Sequence, residues 1–136
     1  MARPHAAAAA ALLGACVLAG CGGGTLDRKA LQQEAKGIES LAYEGDVLAD
    51  DAAQGRSTSV FVRIHSGYLH AAAKASASKL ARGGTPQARR LATLAARVSD
   101  DIAQLARSGS DRTEQRRLQQ DLASAAKATS RLAERL

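Results

Sequence analysis

Small and aliphatic side chains recur along this chain at steps of three and four residues, and that spacing limits what it can fold into. The first series is Leu31, Ala35, Ile38, Leu41, Ala42 and Gly45, continuing through Leu48, Ala49 and Ala52. Such steps lay an apolar stripe along one face of a helix, whereas a half-buried strand needs strict alternation. A second series runs Leu91, Leu94, Ala95, Val98, Ile102, Leu105 and Ala106. A third runs Leu118, Leu122, Ala125, Thr129, Leu132 and Leu136. Side chains that favour sheet are scarce: one Phe, two Tyr and no Trp in 136 residues. Alanine and leucine, in contrast, lose little freedom in a helix. The chain reads as all-α, with a thin alanine-rich core held by many small contacts.

Local signals divide the periodic region. The first helix is expected over about residues 26–54, with Gly55, Arg56 and Ser57 supplying a stop and a new cap. Thr85 followed by Pro86 marks a cap and a first helical position, so a helix is expected over 86–107. "SGSD" at 108–111 ends it, and Asp111 with Glu114 resembles a capping box that opens a helix over 111–136. Between these lies "SVFVRIH", residues 59–65, whose alternation taken alone suggests a strand. A strand must pair its backbone groups, and the rest of the sequence offers no partner. With "AAAKASASKLA" following, residues 58–82 read as one helix, weakened by about 1 kcal/mol at Gly67. Gly83 and Gly84 stand where a left-handed cap is wanted.

Four helices of similar length with short loops pack most simply as an antiparallel up-and-down four-helix bundle over residues 26–136. Helices near 25 residues span about 38 Å, giving a rod. Two hairpins pairing between chains would bury the same stripes, and the sequence does not separate these arrangements.

The N-terminal residues follow a different pattern. "MARPH" carries a cation at Arg3, and "AAAAAALLGACV", residues 6–17, is apolar and uncharged. That run is short of the roughly 20 residues a bilayer-spanning helix requires, and it suits the apolar region of a secretory signal peptide. Leu18, Ala19, Gly20 and Cys21 come next, followed by Gly22, Gly23 and Gly24. Leu-Ala-Gly-Cys resembles the lipobox of bacterial lipoproteins. The resemblance implies cleavage between Gly20 and Cys21, so that residues 1–20 are removed. It also implies a diacylglyceryl group on the Cys21 sulfur, with palmitate-type chains holding the protein in a membrane facing the periplasm or the cell exterior. Residues 21–25 then form a lipidated, flexible tether. In a two-membraned cell, the absence of Asp after the cysteine favours the outer membrane by the same family analogy. The resemblance also implies that no thiol remains for a disulfide, with Cys16 in the removed segment and Cys21 acylated.

Charge is unevenly distributed. Residues 26–54 hold seven acids and three bases, whereas residues 55–136 hold fifteen bases and six acids. An acidic first helix favours its basic neighbours through many weak pairs. The surplus positive charge suits anionic lipid or cell-wall polymer held near the tether, or serves solubility alone. Nucleic acid is not an expected partner, because aromatic stacking platforms are missing.

Few residues have the means for chemistry. At helical spacing Phe61, His65, Tyr68 and Ala72 share the apolar side of the second helix, with Arg63, His70 and Lys74 opposite. His65 is therefore expected at the bundle boundary with a hydrogen-bond partner, and His70 in solvent. The two do not face each other, so they cannot share a metal. No Glu stands three residues before either histidine, as a di-iron bundle needs, and no Cys-x-x-Cys-His or phosphate-loop motif is present. No cofactor and no catalysis are expected. Glu34 falls on the buried stripe of the first helix, at a frayed helix end, paired with an arginine of the third or fourth helix, or serving a partner. Asp50 and Asp51 are solvated or attract a cation. The expected function is a non-catalytic, membrane-anchored helical module that binds an envelope protein or contributes to envelope structure. The alternative is a periplasmic ligand or metal carrier using the bundle interior near Glu34, His65 and Tyr68, which would need a cavity of hundreds of Å³. Self-assembly of the bundle is a third course.

Overall fold

Each helix begins where a short polar side chain takes up an unpaired backbone N–H, in the manner expected of N-caps. The computed structural model describes residues 25–136, and four helices make up almost all of them. They are α1 (Arg28–Ala53), α2 (Ser59–Ala81), α3 (Pro86–Arg107) and α4 (Arg112–Ala133). The Oδ1 atom of Asp27 accepts from the Ala30 N–H at 2.7 Å, and Thr58 Oγ1 accepts from Phe61 at 3.2 Å. Thr85 Oγ1 accepts from Ala88 at 3.0 Å, with Pro86 opening α3. Asp111 Oδ1 accepts from both Thr113 and Glu114. The reciprocal half of that capping box does not form: the Asp111 N–H donates to Ser108 O, and Glu114 binds Arg117 instead. The first three helices are each followed by a glycine at positive φ, namely Gly55, Gly84 and Gly109.

The helices run up and down in antiparallel order. α1 packs mainly on α4 and α2 mainly on α3, while α1 and α3 also touch across the diagonal. α2 and α4 stay apart, so the cross-section is a rhombus with α2 at an outer corner. Ile38, Leu80, Leu91, Ile102, Leu105 and Leu118 are wholly buried, and alanines such as Ala35, Ala42 and Ala95 fill the spaces between them. Gly45 permits the close approach of α1: a Cβ there would lie 3.1 Å from Leu122 Cδ1 and 3.2 Å from Ile102 Cγ1. The buried core of the described residues draws on all four helices. The expected leader, cleavage junction at Gly20 and Cys21, and glycine tether lie outside the described residues.

The orientation of α2 corrects the sequence-based expectation. Its buried residues are Val62, Ser66, Leu69, Ala73 and Leu80, whereas Phe61 is 53% and Tyr68 73% exposed. The helix is turned by one residue, about 100°, from the expected face. Both faces are apolar at steps of four and three, so periodicity does not choose between them. Leu69 and Leu80 face inward, and the small Ser66 and Ala73 on the same face let α3 come close.

Candidate functional site

The candidate residues of α1 and α2 are spread along the seam between those helices. His65 Nε2 is 2.7 Å from Glu44 Oε1, and the Phe61 ring stacks on the His65 ring with centroids 5.4 Å apart. His65 thus has the boundary position and the partner expected of it. Glu34 is 16% exposed at its side chain and accepts from Lys79 Nζ at 2.5 Å, so its partner is a lysine of α2 rather than an arginine of α3 or α4. Lys79 lies fourteen residues beyond His65, about 21 Å along the helix. Tyr68 points to solvent. Glu34, His65 and Tyr68 therefore do not converge, and they line no common cavity.

Asp50 and Asp51 are engaged within the chain. Gln54 Nε2 donates to Asp50 Oδ1 at 2.7 Å, and Arg56 reaches Asp50 Oδ2 at 2.7 Å and Asp51 Oδ1 at 2.8 Å. The Gln54 and Arg56 hydrogen bonds hold the Asp50 carboxyl below its usual range. The arginine after the turn occupies the place that a cation would take.

His70 departs from expectation. Instead of standing in solvent it is half-buried against α3, with Nδ1 2.9 Å from Ser99 Oγ and 3.0 Å from Ser99 O. A His–Ser contact invites comparison with a nucleophile and its base. In one tautomer Nδ1 donates to the Ser99 carbonyl, and in the other it accepts from the Ser99 hydroxyl. The contact ties α2 to α3. Beside it is a crease of about 200 Å³ that includes Lys74 and Asp100.

Sequence reasoning missed Asp101. This residue is 7% exposed and lies between α3 and α4, where its Oδ2 atom has no hydrogen bond. Arg97 Nε stops 3.9 Å away, and Arg117 is committed to Glu114, Asp121 and Gln104. Burial, reinforced by the Asp121 charge, pushes the Asp101 carboxyl up. Its only sequence signal is the step from Val98 to Asp101 and Leu105, which puts it on the buried stripe. At the end of the bundle formed by the 54–58 and 108–111 loops is a cleft of about 250 Å³, with Ser57, Gly109, Ser110 and Arg112 in its wall. It is smaller than ordinary ligand pockets of about 300–1,000 Å³. Among the described residues there is no group of three or more His, Cys, Asp or Glu suited to a metal, and no helix long and apolar enough to cross a membrane.

Two surface features are more distinctive. Thr25 and Leu26 enter beside the 82–85 loop, with Leu26 Cδ1 3.2 Å from where a Cβ on Gly83 would be. That end carries seven exposed cations, Arg28, Lys29, Arg82, Arg89, Arg90, Arg131 and Arg135, against Asp27 and Glu134. The opposite end is less one-sided, with Arg56, Arg63, Arg107, Arg112, Arg116 and Arg117 among Asp50, Asp51, Asp111 and Glu114. The second feature is apolar: the large exposed hydrophobic side chains of the described residues all belong to α1 and α2. No protein-family model matches the chain, and neither a curated protein nor a solved structure gives a significant match.

Proposed function

We propose that this is a non-catalytic lipoprotein of the bacterial envelope, held to a membrane through acylated Cys21 and presenting its helical bundle to an envelope partner. The observation that carries the reading is the collection of cations at the end where the chain enters from residue 25. Three glycines, and so four Cα–Cα steps, separate Cys21 from Thr25, a reach of at most about 14 Å. An anchored bundle would hold its basic end near the headgroups, where each Lys or Arg contributes about 1 kcal/mol against an anionic surface. Arg28 and Lys29 stand in the first turn of α1, where the helix dipole favours acids. An anionic membrane beneath them offsets that local cost. The scattered positions of Glu34, His65 and Tyr68 support a binding role over carriage.

Metabolic labelling with a palmitate analogue tests the anchor. The wild-type chain is expected to take up label and lose its leader, and Cys21→Ala to persist as unlabelled precursor. Equal labelling of both would reject the assignment.

A further inference from the structure

The amide of Gln115 is buried and only half satisfied. Gln115 is 2% exposed and belongs to the wall of the cleft between the 54–58 and 108–111 loops. Its Nε2 donates to Gly109 O at 2.9 Å and to Ser108 Oγ at 3.4 Å. A carbonyl oxygen only accepts, so the contact with Gly109 fixes the amide with its nitrogen toward that loop and Oε1 turned away from it. No donor among the described residues reaches Oε1. A buried acceptor without a partner is costly, and a donor brought in from outside removes the cost.

The remainder of the wall suits an anion. Arg112, the first residue of α4, extends its guanidinium over the Gly55 turn, with Nη2 3.8 Å from where a Cβ on Gly55 would lie. Arg56 and Arg117 bind Asp50, Asp51 and Glu114, whereas Arg112 enters no ion pair among the described residues. Ser59 opens α2 at the cleft, and its N–H has no acceptor within the helix. The dipole of α2 favours negative charge at that position. Ser57 and Ser110 add hydroxyls, Ala52 and Val62 add an apolar patch, and no acid belongs to the wall.

We propose that this cleft binds a short hydroxycarboxylate, with its carboxylate on Arg112 and the Ser59 N–H and its hydroxyl donating to Gln115 Oε1. One cation and no acid leave no place for an ammonium group, which sets amino acids aside. A simple carboxylate or inorganic anion gives Oε1 no hydroxyl on a carbon chain, and a neutral polyol gives Arg112 no charge. The volume of about 250 Å³ corresponds to about eight waters, and so to a molecule of about that many non-hydrogen atoms. The site is at the end of the bundle away from residue 25, and it does not depend on the acylation of Cys21.

Titration of the ¹⁵N-labelled full chain in detergent micelles with lactate, followed by amide NMR, tests the site. The Gly55, Ser59, Gly109 and Ser110 amides are expected to shift together and saturate with a Kd of about 1 mM. Propionate, which is lactate without the hydroxyl, should bind at least about tenfold more weakly, because it leaves Oε1 unpaired. Inorganic phosphate and glycerol should be weaker than lactate as well. Arg112→Gln, at an exposed position, should weaken lactate at least about tenfold and leave the melting temperature unchanged. Gln115→Met should do the same to binding; because it also gives up the bond to Gly109, it is read only if the chain still melts cooperatively, and otherwise the propionate and Arg112→Gln results decide. No shift at about 20 mM lactate would leave the Gln115 amide to water and overturn the proposal. Propionate or phosphate binding as tightly as lactate would overturn it too, reducing the cleft to an anion site. So would shifts that survive Arg112→Gln.

Discussion

At Asp101 a carboxylate is almost removed from water while the nearest guanidinium stops 3.9 Å short of it. Its raised pKa means that the folded protein holds this proton more tightly than the unfolded chain does. The cost of ionising it is present in full above the raised value, and it is relieved as pH falls through that value toward the ordinary 3.8. Asp50 and Glu114 have the opposite sign. Their pKa values are lowered, so their contribution is present above the ordinary values and lost as pH falls through the lowered ones. Asp101→Asn should therefore stabilise the bundle by about 0.5–1 kcal/mol at pH 7. Urea melts should show that gain shrinking as pH drops toward 4. Gly45 is the second informative residue. Gly45→Leu should cost about 2 kcal/mol or more by driving into Leu122 and Ile102, with Gly45→Ala far milder because the helix gains propensity. The place of Gly45 on the buried stripe was legible from spacing alone. The burial of Asp101 was not, because an acidic residue on a stripe reads equally well as its edge.

The helices themselves were legible to within three residues at every boundary, because caps and breakers are local chemistry. Thr85-Pro86 and Asp111 need no tertiary context to act. The face of α2 does need it. With apolar seams at Phe61 and at Val62, only packing against α3 and the bond from His70 to Ser99 decide which turns inward. That decision can be checked by comparing neighbours. Leu69→Ala should cost about 2–4 kcal/mol in chemical denaturation, and Tyr68→Ala should stay within about 0.5 kcal/mol for the isolated bundle. The reverse order would mean that the helix is turned the other way. The partner of Glu34 was missed for a related reason. Acid placement is visible in sequence, but which helix lies alongside depends on the arrangement of all four.

Over the described residues the charges are graded along the bundle, most basic where the chain enters and less so at the far end. Residues 25–136 should bind vesicles of anionic lipid at low salt and release them as salt rises past about 0.15 M. Replacing Arg28, Lys29 and Arg90 by Gln should weaken that binding more than the same change at Arg107, Arg112 and Arg116, as read by co-sedimentation. Equal losses would show that only total charge matters. The rhombic arrangement has a further effect, on the order in which the protein assembles. α2 and α3 are chain neighbours and find each other through a loop of four residues, whereas the main companion of α1 is the last helix to be made. Contacts between such distant segments form late and set the folding rate. A polypeptide emerging gradually from a ribosome or a translocation pore must therefore wait with its first helix unsheltered until the fourth arrives.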